Sequence, residues 1–461
     1  MARRAGREAE HAYQHDERAR LHGGDPTAMR TQRRRPCGGH GVGYPPRAVS
    51  EKKVAILGGG PAGSALALNL VRLGVDPGDL VILDKARFPR PKLCGGALTW
   101  RGTEALRALI GEPEGGAKTV GLSFRSALGD MDVFERGGQW LYDRGLLDHR
   151  LLLAAQEAGV EVREGCGVTE LTPASEGWRV VTESGAETFP WVAGADGACG
   201  ISRRASELPG GITGRLVEAV FEPIGETPDP SLLHFDFDPL LDGIPGYAWI
   251  FPYPKPDGAD GYWKLGIMDG RGRVPGKALR AWTMRFAERH GFRLVDDKLA
   301  GWPERYYDAG TRGHRPGLVL VGEAFGIDAL LGEGIAPALY HARYVAERLK
   351  GALDAGTDRI RGFERGFLAT LEGRNLWFQA RLADRIYGDK GLRWMKTLFG
   401  LPRLTQLAKA GGDAYGRLSR RIPSLIGSYL LHVATHGLPD NAPPPQARAL
   451  VRDSSAGPTA P

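Results

Sequence analysis

The chain has 461 residues, 42% of them hydrophobic and 25% charged, and a formal net charge of +7; that is length for two or three domains and enough apolar material for a sizeable core. No apolar run approaches the roughly 18 residues of a membrane span and no signal-peptide core is visible near the start, so a soluble, cytoplasmic protein is expected. The four cysteines, Cys37, Cys94, Cys166 and Cys199, form no CxxC pair and no Cys/His cluster, which argues against a disulfide framework or a zinc site.

In chain order, residues 1–50 carry ten Arg and five acids without apolar periodicity and read as a disordered basic tail. Arg3-Arg4 and Arg33 to Arg35 lack the apolar stretch of a twin-arginine export signal, and Met29 is a second candidate start. Val54 to Leu57 is a buried-strand run, Ala62 to Leu73 a helix ended by Gly74, and Leu80 to Leu83 a second strand: a βαβ opening. Gly145 to Gly159 reads as a helix and Trp178 to Trp191 as strands around a turn. Short alternating strands at Arg215–Glu222, Leu232–Phe237, Tyr247–Tyr253 and Tyr262–Met268 predict a separate antiparallel sheet. A strand at Leu318–Val321 and a helix from about Gly334 to Lys350 return to the first pattern. Residues 374–437 hold eleven Lys/Arg and three acids, and Asp440 to Pro461 read as unstructured. The basic charge thus sits at the two ends, the rest of the chain nets −6, and nucleic acid is not expected as a partner.

Gly58-Gly59-Gly60-Pro61-Ala62-Gly63 fits GxGxxG between the first strand and helix. Gly58 permits the tight turn, Gly60 lets backbone approach a pyrophosphate, and Gly63 lets the helix pack on the strand. The pattern alone is weak in so Gly-rich a chain; its context and Asp84-Lys85, about twenty residues on where ribose recognition requires an acid, carry the inference of a bound dinucleotide.

Asp143-Arg144, Ala193-Gly194-Ala195-Asp196-Gly197, Val321-Gly322-Glu323-Ala324 and Leu331-Gly332-Glu333-Gly334-Ile335 complete the set. Together they resemble the FAD signatures of the para-hydroxybenzoate hydroxylase superfamily. The resemblance spans residues 53–350 and implies FAD, with Arg144 near its phosphates, Asp196 and Gly197 beside it, and Glu323 accepting from its ribityl side. Glu323 stands where the family has Asp, and Ala329 where it has Pro. The implied fold is α/β, a Rossmann-like FAD-binding domain of the glutathione-reductase type with an inserted antiparallel-sheet substrate domain and a helical C-terminal region. The expected boundaries are 51–210 with 306–352 for FAD, part of 97–140 lent to the substrate domain, 211–305 for that domain, 353–438 for the helices and 439–461 for a tail.

Within that superfamily, Lys92-Leu93-Cys94-Gly95-Gly96 and Tyr247-Ala248-Trp249-Ile250-Phe251-Pro252 resemble the geranylgeranyl reductase branch. Of that branch's following GxG only Gly266 is in place. The resemblance implies reduction of isolated double bonds in a polyprenyl lipid or quinone side chain by hydride from reduced FAD, with NADPH or another carrier as transient electron donor. At strand spacing Tyr247, Trp249 and Phe251 share one face, suited to an apolar substrate wall and equally to core packing. Cys94 is a candidate proton donor or positioning residue, with Tyr247 or the flavin system as alternative proton sources. Lys92, with Arg87 and Arg90, suits a substrate phosphate or is solvated charge.

The segment 375–438 sets Trp377, Phe378, Tyr387, Trp394 and Phe399 among Arg381, Arg385, Arg393 and Lys396. That composition suits amphipathic helices on the inner face of the cell membrane, or helices capping the substrate domain. Gly246-Tyr247-x-Trp249 also resembles the halogenase GWxWxIP, so a flavin-dependent monooxygenase or halogenase acting on a small or carrier-bound aromatic is the competing reading.

Overall fold

The computed structural model describes Ala48–Val49 and residues 52–400, apart from 256–260 and 296–297. These residues belong to the second of two compact units, Arg47–Pro461. Ala48–Val49, inside the tail expected over 1–50, instead form a short strand parallel to Gly185–Phe189; the rest of that tail, the tail expected over 439–461 and the C-terminal part of the expected helical region lie outside the described residues. No helix among the described residues is long and apolar enough to cross a membrane.

A six-stranded sheet runs in the order His314–Arg315, Leu318–Leu320, Trp191–Gly194, Val54–Leu57, Leu80–Asp84, Glu161–Glu164. All its pairs are parallel except the first. The four central strands are buried at every position, as near-continuous apolar runs must be when both sheet faces are covered. Helix Pro61–Arg72 packs against Arg144–Glu157 and Ile335–Asp354. The four-stranded sheet built from Ala48–Val49, Gly185–Phe189, Gly177–Thr182 and Val168–Ala174 buries Leu171, Trp178, Val180 and Phe189 in the same core.

The second sheet has nine strands and gathers distant segments. Its order is Phe292–Leu294, Ile212–Pro223, Trp263–Asp269, Ala248–Pro252, Leu232–Asp236, Ala117–Arg125, Met131–Leu141, Ala97–Leu98, with Ala300–Tyr306 also paired to Ile212–Pro223. It is antiparallel except where Leu232–Asp236 meets Ala117–Arg125 in parallel. The period of two divides its side chains between two cores. Tyr247, Trp249, Phe251, Phe235, Met268 and Tyr306 belong to one. Ala248, Ile250, Val217, Leu265 and Ile267 belong to the other, under Leu279, Trp282 and Phe286 of helix Gly276–Arg289.

The sequence reading assigns no element to Trp100–Ile110, Ala117–Arg125, Met131–Leu141 or Gly276–Arg289. A register shift at Thr119/Gly121 and the pair Gly137-Gly138 break the alternation that would mark the two strands.

Candidate active site

The glycine loop is built by close approach. A Cβ on Gly58, whose φ is +106°, would lie 2.5 Å from the Ala195 carbonyl oxygen, and one on Gly63 would lie 1.9 Å from the Gly58 oxygen. No side chain fits at either place without moving backbone. Pro61 opens the following helix, and Gly60 before it provides no side-chain cap, so the helix's first amides are left for an anion. Asp84 is pinned beside this loop: Oδ2 accepts from Gly59 N at 2.7 Å and Oδ1 from Ala86 N at 2.8 Å. Pro61, Ala62 and Gly63 are buried, whereas Lys85 is exposed.

A charged cluster adjoins the loop. Arg144, first residue of its helix and buried, donates to Asp148 through Nε at 2.7 Å and Nη2 at 3.0 Å. Arg90 Nη2 reaches the same carboxylate at 3.2 Å and lies 3.4 Å from where a Cβ of Gly60 would stand. Burial works against the Arg144 charge, but Asp148 and the Cys94 thiol raise its pKa above the usual arginine value. Lys92 shares this neighbourhood. Burial lowers its pKa while Glu323 opposes that shift, and its Nζ lies 3.9 Å from the Trp302 ring centroid. Burial raises the pKa of Glu323, countered by Lys92 and Arg144.

The remaining glycine-linked residues close the other side. Glu323 Oε2 lies 3.6 Å from the Cβ position of Gly197. Gly322 N donates to Nδ1 of His341 at 3.1 Å, and burial lowers the His341 pKa to about 3, keeping the ring neutral. Helix Ile335–Asp354 starts at Gly334 with no side-chain cap, and a Cβ on Gly334 would meet nothing within 4 Å. Ile335 is buried behind it. Asp196 turns instead to the helix Ile201–Ser206: Oδ2 accepts from Ser202 N at 2.9 Å and Oδ1 from Ser202 Oγ. The glycine cradle, the uncapped start of helix Pro61–Arg72 and the Arg90/Arg144 pair suit a dinucleotide's pyrophosphate.

The Lys92–Gly96 segment is clamped onto the aromatic strand. Cys94 N donates to Glu218 Oε1 at 3.1 Å and Cys94 O accepts from Lys264 Nζ at 2.7 Å. The other Glu218 oxygen accepts from Trp249 Nε1 at 3.2 Å. A Cβ on Gly95 would lie 2.7 Å from the Phe251 ring, and one on Gly266 2.2 Å from the Trp249 ring. Gly96 takes φ +79° and donates its N–H to Cys94 Sγ at 3.4 Å. Tyr247 donates to the Leu331 carbonyl, which seats its hydroxyl 2.5 Å from the Cβ position of Gly332. Phe235 continues the wall, with ring centroids 5.3 Å from Tyr247 and 5.1 Å from Phe251.

A family model described as FAD binding domain matches residues 51–223. An uncharacterized protein of Methanosarcina barkeri is 26% identical over 77% of this chain and 89% of its own. The menaquinone reductase of Mycolicibacterium smegmatis is 29% identical over 64% of this chain and 75% of its own. Among solved structures, a geranylgeranyl bacteriochlorophyll reductase-like protein of Thermoplasma acidophilum superposes with a TM-score of 0.65 at 18% identity, covering 87% of this chain and 98% of that one. Halogenase PltM gives 0.58 at 15% identity, covering 88% and 91%. Residues 51–223 belong to the FAD binding domain family.

Three residues of this site escape the sequence-based expectations, and a fourth, Arg90, enters them only beside Lys92. Arg90, grouped there with a substrate phosphate, stands at the glycine loop. Glu218 and Lys264 clamp Cys94, and His341 holds the Gly322 turn. A charge within an apolar strand, such as Glu218 among Val217, Ala219 and Val220, is the signal that marks the clamp. For Arg90 and His341 no local signal exists.

Proposed function

We propose that this flavoenzyme reduces carbon–carbon double bonds in the polyprenyl chain of a lipid or quinone. The observation that carries the reading is the junction of Lys92–Gly96 with the aromatic strand through Glu218 and the Gly95–Phe251 contact. It makes one wall of a half-buried thiol and of rings that offer an isoprenoid chain apolar contact without a charge. A relative named as a menaquinone reductase and a fold neighbour named as reductase-like support it.

The Gly58–Gly63 loop, Asp84, Arg90, Arg144, Glu323 and the Gly332–Ile335 turn would hold FAD, which, reduced by NADPH or another donor, would supply the hydride. Cys94 lies in electrostatic contact with Arg144 and Lys92 at the edge of the wall, where it can give or position the proton that completes each reduction. Tyr247 spends its hydroxyl proton on Leu331 O and acts in this reading as a wall and a brace. A membrane-resident substrate would also give a use to exposed Trp377, beneath the Arg381 guanidinium at 5.4 Å, while Ala383, Ile386 and Tyr387 cap the substrate sheet.

The test is anaerobic incubation of the FAD-loaded protein and a reductant with geranylgeranyl lipids or menaquinone, following product mass. Stepwise gain of hydrogen pairs is the expected result. Turnover only with oxygen, inserting oxygen or halide into an aromatic, would establish the competing monooxygenase or halogenase reading.

A further inference from the structure

Two carboxyl groups outside the site described so far lie together beneath the Ala329–Gly332 turn. Glu304 stands on strand Ala300–Tyr306, opposite Gly214, and Asp328 immediately precedes the turn. A parallel backbone bridge joins Tyr306 to Asp328, and Tyr307 N donates to Asp328 O at 2.7 Å. Glu304 is 8% exposed and Asp328 2%. Asp328 Oδ1 accepts from Ala329 N at 2.6 Å and Leu330 N at 3.2 Å. Its Oδ2 is buried, and the Gly332 backbone and the Glu304 carboxyl both act on the Asp328 carboxyl. Tyr306 donates to Glu304 Oε2 at 2.5 Å.

Among the groups that act most strongly on Glu304 none is a cation. Glu304 faces Asp328, Glu323, Tyr306 and the Cys94 thiol. Tyr306 and Tyr387 add hydroxyls, the first also facing Tyr247. Arg271 acts on the two tyrosines. Two such carboxyls buried together cannot both be ionised. Burial and the repulsion of Asp328 hold the Glu304 pKa well above the usual range, and burial brings Asp328 to about 7.

We propose that Glu304 and Asp328 share one proton at rest and take up a second when the flavin is reduced, as a proton store coupled to the charge of the site. Adding two electrons and one proton to FAD leaves one extra negative charge, and the remaining carboxylate of the pair compensates it by taking one proton from water. When a hydride carries the electrons away, that charge disappears and the pair releases its second proton. The inference needs FAD in the site but not a polyprenyl substrate, so it stands or falls separately from the reaction proposed above.

Redox titration of the FAD-loaded protein across neutral pH tests it, without substrate. The expected wild-type result is an uptake clearly above one proton per electron pair just above pH 7, where Asp328 is ionised at rest, falling to one in Asp328→Asn. Asp328→Asn also removes the negative charge that opposes reduction and raises the midpoint potential on the alkaline side. Glu304→Gln leaves Asp328 in place, so the extra uptake persists, but it removes the partner carboxyl and displaces the pH at which that uptake sets in. A wild-type count of one, a count unchanged in Asp328→Asn, or an onset that Glu304→Gln leaves where it was, overturns the proposal. Infrared spectra of the flavin-free wild type supply a second reading should the variants lose FAD. Protonated-carboxyl absorption at neutral pH that diminishes in Glu304→Gln is expected, and absorption that this variant leaves unchanged overturns the shared proton.

Discussion

The glycine loop after Val54–Leu57 and the aromatic wall on the nine-stranded sheet are both parts of one site, but they are made in opposite ways. The loop is one contiguous stretch whose work is done by backbone: amides at a helix start, and two glycines where any Cβ would strike a carbonyl oxygen. The wall is mostly side chains, seated against Gly95 and Gly266 and tied to the Cys94 backbone. Its members come from residues 94–96, 218, 235, 247–251, 264 and 266, held by a carboxylate, an ammonium and an indole. A backbone site tolerates almost no change at its few glycines, whereas a side-chain site should lose function by degrees.

The sharpest way to break that comparison is Gly63→Ala. A Cβ at 1.9 Å from backbone cannot be relieved by a rotamer change, so a cost of at least about 3 kcal/mol is expected, with loss of bound FAD. Flavin absorbance of the purified protein and its melting temperature read both. Retention of a full complement of FAD would remove the loop from the cofactor site.

Glu218→Ala should act next most strongly, and differently. It leaves Lys264 without its neighbouring buried charge and the amide of Cys94 and the indole of Trp249 without an acceptor, costing about 2 kcal/mol. FAD content should stay near wild type while turnover falls roughly tenfold, the equivalent of about 1.4 kcal/mol in the barrier. Faster alkylation of Cys94 by iodoacetamide would report the freed loop; unchanged alkylation and turnover would deny the clamp.

An effect of intermediate size should appear in the pH dependence of stability. Asp328 and Asp236 both have pKa values raised to about 7, mainly by burial. The folded state therefore keeps protons that the unfolded chain releases above about pH 4. Their contribution is fully present below that pH and is lost as pH rises through about 7. Melting of the flavin-free protein should fall between about pH 5 and about pH 8, and Asp328→Asn should flatten part of that slope. A melting temperature that rises over the same interval would contradict the assignment.

Trp249→Phe should be the mildest. It keeps an aromatic ring on the wall but removes the N–H bonded to Glu218, a loss of about 1 kcal/mol. A raised KM with little change in kcat would mark Trp249 as a binding wall; a collapse of kcat alone would point to a role in the chemical step.

The sequence by itself determined the βαβ unit, the strand-and-helix alternation around it and the two-sided alternation of Tyr247, Trp249 and Phe251. Each of these is a local pattern: buried runs, a glycine spacing, a period of two. The strands Ala117–Arg125 and Met131–Leu141 were illegible because a bulge and paired glycines interrupt their period. Only the tertiary structure decided that Glu218, more than 120 residues beyond Cys94, holds that cysteine's amide. It alone turned the Asp196 carboxylate to Ser202, brought Arg90 to Gly60, and set Glu304 against Asp328. A side-chain contact depends on which strands become neighbours, and that pairing is fixed by the packing of the whole sheet rather than by any window of residues.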